Sequence, residues 1–105
     1  LVVDEFQLAA IQTDQPTGFF FNKNLFNTAI IDYSLKDSSG NLAVGHLRMI
    51  TDGTTVTVLD SFTETAALGI TFSGAISGDN VILRYSNTSS ATAKFYYNVK
   101  LWNTT

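Results

Sequence analysis

Apolar and polar side chains alternate from Ala29 onward, with Ile31, Tyr33 and Leu35 on one side of the chain and Asp32, Ser34 and Lys36 on the other. A period of two belongs to a β-strand with one buried face. Asp37-Ser38-Ser39-Gly40-Asn41 supplies turn-forming residues, Leu42–Thr51 returns antiparallel, and Asp52-Gly53 turns the chain again into Thr55–Leu59. Residues 29–60 therefore predict a three-stranded meander. After a looser connection through Ser61–Ala67, residues 69–102 predict a second one, with strands at Gly69–Ala75, Asn80–Ser86 and Thr92–Trp102. Val81, Leu83 and Tyr85 share one face of its middle strand, and Phe95, Tyr97, Val99 and Leu101 share one face of its last.

The first 28 residues read as a segment that joins these meanders. Asp4–Gln12 fits a strand better than a short helical turn, and Pro16 is expected to end it. Phe19, Phe20 and Phe21 form a continuous aromatic run of the kind buried on both faces, with Phe26 beside them; the alternative is that one ring packs against another subunit. The sum is an all-β fold of about eight strands in one domain over residues 1–105. An antiparallel β-sandwich is the expected architecture, with a jelly roll preferred to an immunoglobulin-like topology.

Composition narrows the function more than the fold. The 105 residues are 45% hydrophobic and only 14% charged, so the chain is globular. Six Lys and Arg and a net charge of −3 leave no basic stripe for nucleic acid. The absence of Cys removes disulfides, thiolate metal sites and cysteine nucleophiles. No apolar run approaches the roughly 20 residues that cross a bilayer, so membrane insertion is not expected. Leu1 stands where an initiating Met would, and the sequence is expected to belong to a longer protein.

Chemistry-bearing constellations are sparse. His46 is the single histidine; Ser34, Asp32 and Asp60 are its possible neighbours across the meander, but no nucleophile elbow accompanies them. Asp4, Glu5, Asp14, Asp37, Asp52 and Asp79 sit near termini or turns, where carboxylates shape the backbone, and Asp32, Asp60 and Glu64 read as exposed strand or loop residues. No calcium loop and no phosphate-cradling glycine cluster is present, so no metal, no cofactor and no catalysis is expected. Asn87-Thr88-Ser89 and Asn103-Thr104-Thr105 match the glycosylation pattern, which arises by chance in Ser/Thr-rich chains. The last strand is more informative, because Tyr96 and Trp102 fall on its polar side among Lys94, Asn98 and Lys100. Such rings cover a sheet edge or loop, pack against another subunit, or stack on a sugar.

Taken in order, Tyr33-Ser34-Leu35-Lys36, Gly45-His46-Leu47-Arg48, Asp52-Gly53, Leu68-Gly69-Ile70-Thr71-Phe72, Val81-Ile82-Leu83-Arg84-Tyr85 and Lys94–Trp102 resemble a β-domain of bacteriophage virion proteins, of the tail-fibre, head-fibre or decoration type. The resemblance spans about residues 29–102; Asp37-Ser38-Ser39-Gly40 carries less charge than is usual there. It implies a non-enzymatic virion component, assembled as a homo-oligomer, trimeric by preference, among other virion proteins and in contact with a host surface. Tyr96, Trp102, Phe19, Phe20 and Phe21 are the expected contacts. The alternative is a carbohydrate-binding module for a cell-surface glycan, with Trp102 or Tyr96 as platform.

Overall fold

The computed structural model describes residues 4–103, which form eight strands: β1 (Asp4–Leu8), β2 (Gln12–Asn22), β3 (Phe26–Asp37), β4 (Leu42–Thr51), β5 (Val56–Glu64), β6 (Ile70–Ser77), β7 (Asn80–Asn87) and β8 (Ala93–Asn103). They pair antiparallel in a five-stranded sheet, β1-β8-β3-β4-β5, and a three-stranded sheet, β2-β7-β6. The two sheets face each other as a β-sandwich. Its nested pairs, β1 with β8 and β2 with β7, are those of a jelly roll, from which β4 and β5 depart by staying beside β3.

The alternation that predicted the strands also builds the core. Ala29, Ile31, Tyr33 and Leu35 of β3, Leu47 and Met49 of β4, and Ala93, Phe95 and Tyr97 of β8 point inward and are buried. Phe21 of β2 and Val81, Leu83 and Tyr85 of β7 meet them from the smaller sheet. Phe95 lies at the centre of this layer. Its ring stacks on Tyr97 at 4.7 Å and contacts Phe72 at 5.2 Å and Tyr33 at 5.7 Å. Each such contact adds about 0.5–1.5 kcal/mol beyond burial alone.

The first meander stands, with β5 longer than predicted: it runs on to Glu64 through residues that read as a loose connection. The second does not form. β8 leaves β7 and inserts between β1 and β3 of the other sheet. Alternation marks a buried face, and both β7 and β8 bury one; it does not say whether two such strands lie side by side or face to face. The crossover is held by Asn87, whose buried side chain donates from Nδ2 to the carbonyls of Ala9 and Ala91 and accepts from the Ser89 N–H. That use leaves the Asn87 amide no access to a glycan. The second glycosylation match extends over Thr104 and Thr105, which lie outside the described residues.

Pro16 does not end a strand either. It sits within β2, an edge strand, opposite Arg84 and next to a break in register before Phe20, and edge strands and register breaks are where sheets tolerate Pro. Two glycines allow close approach. A side chain on Gly45 would strike the Ser61 carbonyl and Phe62 of the neighbouring strand, and one on Gly74 would occupy the space of the Val56 and Val58 methyls, which seal β5 onto β6.

Candidate functional site

Because the inner side of each strand is committed to the core, the outer face of the five-stranded sheet is the largest ordered surface left. Its residues stand in cross-strand rows. One row holds Gln7, Lys94, Lys36 and Leu42; the next Glu5, Tyr96, Ser34, Val44 and Thr63. Asn98, Asp32, His46 and Ser61 follow, then Lys100, Ile30, Arg48 and Leu59, then Trp102, Thr28, Ile50 and Thr57.

Tyr96 and Trp102 are both on this face, as the alternation of β8 predicts. They are six residues apart, about 20 Å along the strand, so they cannot serve as one platform. Trp102 is 48% exposed, at the end where Ile50 and Leu59 also point outward. Tyr96 is half-buried, between Glu5 and Ser34. The phenylalanine run divides. Phe21 is buried and serves the core, and the half-buried Phe19 packs on it and on Tyr97 at 6.2 and 6.1 Å. Phe20 is 58% exposed on the outside of the smaller sheet, facing away from Tyr96 and Trp102. An expected run buried on both faces is a strand with one face out.

Of the three neighbours expected for His46, Asp32 is beside it, and Ser61 of β5 joins from the other side. Asp32 and Ser61 flank it in register, over a depression of about 530 Å³ that Val44, Gly45 and Phe62 also line. Among the described residues no hydrogen bond joins Ser61 to His46 or His46 to Asp32. Ser34 lies one row away. Asp60 points the other way, into the sandwich, and accepts a 2.7 Å hydrogen bond from the Tyr33 hydroxyl. It is not the exposed residue its sequence context suggests: burial holds its carboxyl above the usual aspartate range, against the lowering effect of the Tyr33 bond. Burial and the adjacent Asp60 carboxylate push the Tyr33 phenol strongly upward. Asp37 and Asp52 are turn-shaping carboxylates as expected, taking the N–H groups of Ser39 and Asn41 and of Thr54 and Thr55. Those bonds lower the Asp52 carboxyl below the ordinary range. Among the described residues no group of three His, Asp or Glu is placed to hold a metal ion.

Charge is unevenly distributed. Lys36, Arg48, Lys94 and Lys100, four of the six cations, stand on the outer face of the larger sheet against two carboxylates, Glu5 and Asp32. That face carries +2 on a chain of −3, so the remainder carries −5. The two ends of the face also differ in kind. Gln7, Lys36, Ser38, Thr92, Lys94 and Tyr96 line a depression of about 340 Å³ at one end. Ile50, Leu59, Thr57 and Arg48 line one of about 260 Å³ at the other.

No family model and no curated protein matches the chain. Among solved structures, the tailspike protein of Acinetobacter baumannii phage AM24 matches 99% of this chain at 12% identity and a TM-score of 0.42. The tailspike protein of Acinetobacter phage vB_ApiP_P1 matches 96% at 15% identity and a TM-score of 0.41. The gp49 tailspike of A. baumannii bacteriophage Fri1, a capsular polysaccharide depolymerase, matches 95% at 13% identity and a TM-score of 0.41. The matched regions are 27%, 20% and 18% of those chains. No property of the present chain follows from a likeness at this level.

Proposed function

We propose that the chain is a non-enzymatic structural module of a bacteriophage tail appendage, assembled in the virion as a homotrimer. The observation that carries the assembly is the apolar end of the outer sheet face, where Ile50, Leu59 and Trp102 are each about half-exposed around the half-buried Ile30. Apolar clusters rimmed by charge are a mark of protein contacts. The charge pattern favours a ring over a two-fold pair. Two copies of this face brought together would set +2 against +2, with Arg48 and Lys100 beside their own kind. Against the acidic remainder of a neighbouring copy the same face is complementary, and such head-to-tail contacts close rings. The resemblance of residues 29–102 to virion β-domains supplies the setting, and a host surface is the natural far partner of an appendage.

Sedimentation equilibrium tests the reading. The chain is expected at three times its 11.4 kDa mass, and the Ile50→Lys, Leu59→Lys double variant as a folded monomer. A monomeric parent chain, or an oligomer that the two lysines leave intact, overturns it.

A further inference from the structure

At the opposite end of the same face, Lys36 of β3 and Lys94 of β8 are directly opposed in the ladder. Side chains in that relation have Cβ atoms about 4.5–5.5 Å apart, and like charges so placed destabilise a sheet. One of the two has relief: Lys94 lies 3.6 Å from Glu5, with both side chains about half-exposed. Among the described residues Lys36 has no ion pair and no hydrogen bond. The chain thus maintains a cation pair of which one member is ion-paired, on a protein that is acidic as a whole.

The surroundings of the pair are those of a shallow binding site. The depression of about 340 Å³ over it is walled by the Tyr96 ring on one side and by Ser38 and Thr92 on the other, with Gln7 at the edge. Two ammonium groups suit one carboxylate. An aromatic ring beside them offers a stacking face, and the two hydroxyls and the amide offer neutral donors and acceptors that match ring hydroxyls. Asp37 also borders the depression and keeps its negative charge, but its carboxylate is turned onto the N–H groups of Ser39 and Asn41 and pairs with neither lysine.

We propose that this corner binds a carboxylate-bearing saccharide, with the carboxylate between Lys36 and Lys94 and the sugar ring against Tyr96. The site goes beyond the assembly reading: it shares Lys36 and Lys94 with the charge of that face but none of Ile50, Leu59 and Trp102, and the assembly test varies only Ile50 and Leu59, so either can fail without the other. A flexible acidic peptide would satisfy the lysines but leave the ring and the neutral groups unused.

NMR titration of the intact chain tests the proposal with trigalacturonate, sialyllactose, maltotriose, triglutamate and inorganic phosphate, each at about 10 mM. At least one of the two acidic sugars is expected to shift the signals of residues 36, 94 and 96, with neutral maltotriose silent. Lys36→Gln with Lys94→Gln should weaken that binding about tenfold or more, and so should Tyr96→Ala. All of these are surface changes, and each variant's amide spectrum reports that it folds. If neither acidic sugar binds, or if triglutamate or phosphate binds as well as the sugar and is indifferent to Tyr96→Ala, the proposal falls.

Discussion

The two faces of β8 carry nearly the same kind of residue and do opposite things. Inward, Phe95 and Tyr97 share one aromatic layer with Tyr33, Phe72 and Phe19. Outward, Tyr96 and Trp102 touch none of those rings and stand in a field of lysines. The period-two geometry alone makes this division, since neighbouring side chains of a strand cannot share a partner. Stability is therefore concentrated on one face, which leaves the other free to be shaped by whatever meets it.

The inward face gives the largest expected effect. Phe95→Ala removes a fully buried ring at the meeting point of both sheets, and should cost about 3–5 kcal/mol in chemical denaturation. The comparison breaks if the outward Tyr96→Ala costs as much.

A smaller effect is expected where the core opens to solvent. Tyr33→Phe deletes the 2.7 Å bond to Asp60 and should cost about 1 kcal/mol. The pH dependence separates the two partners. The folded chain holds the Asp60 proton more tightly than the unfolded chain, whose value is near 3.8, so stability falls as pH rises from 3.8 through the raised folded value. Asp60→Asn should flatten that slope in urea melts across acidic pH. For Tyr33 the sign is the same at the other end of the scale: stability falls as pH climbs past 10, because the unfolded phenol ionises first. Tyr33→Phe should flatten that decline.

The sequence makes the inward face legible and the outward one only in part. Ile31, Tyr33 and Leu35 announce a buried face by alternation, and β4 begins and ends at the predicted Leu42 and Thr51. Tyr96 and Trp102 are assigned to the correct side of β8 by the same rule. What alternation cannot express is which strands lie next to each other. The β7 to β8 step reads as a hairpin, because the residues of the turn Asn87-Thr88-Ser89-Ser90 suit a hairpin and a sheet-to-sheet crossover equally. The Asn87 side chain decides between them through its bonds to Ala9 and Ala91, and Ala9 is far away in sequence. The Lys36–Lys94 pair and the place of Ser61 beside His46 are hidden for the same reason, since each depends on register between strands. The signal that was present is the polar side of each strand: once β3, β4 and β8 are neighbours, their lysines and arginine fall on one face.

That opposed pair yields the third effect in size, of the opposite sign. Lys36→Gln relieves a like-charge contact and should raise stability by about 0.2–1 kcal/mol at low ionic strength, with the gain shrinking as salt is added. A loss of stability on that substitution would show that Lys36 supports the fold and is not held there against it.

The smallest expected effect is the most informative about the outward face. Ile50 and Leu59 are each about half-exposed, so the Ile50→Lys, Leu59→Lys double variant gives up little core burial. Long lysine stems can still lie along the apolar surface beneath them while the ammonium groups reach water. Monomer stability, measured by urea denaturation at protein concentrations below the association range, should change by less than about 1 kcal/mol. A change of that size, together with loss of the oligomer, assigns the two side chains to contact between copies. A loss comparable to Phe95→Ala would instead mean that the outer face is a second core, and that the division seen along β8 does not extend to β4 and β5.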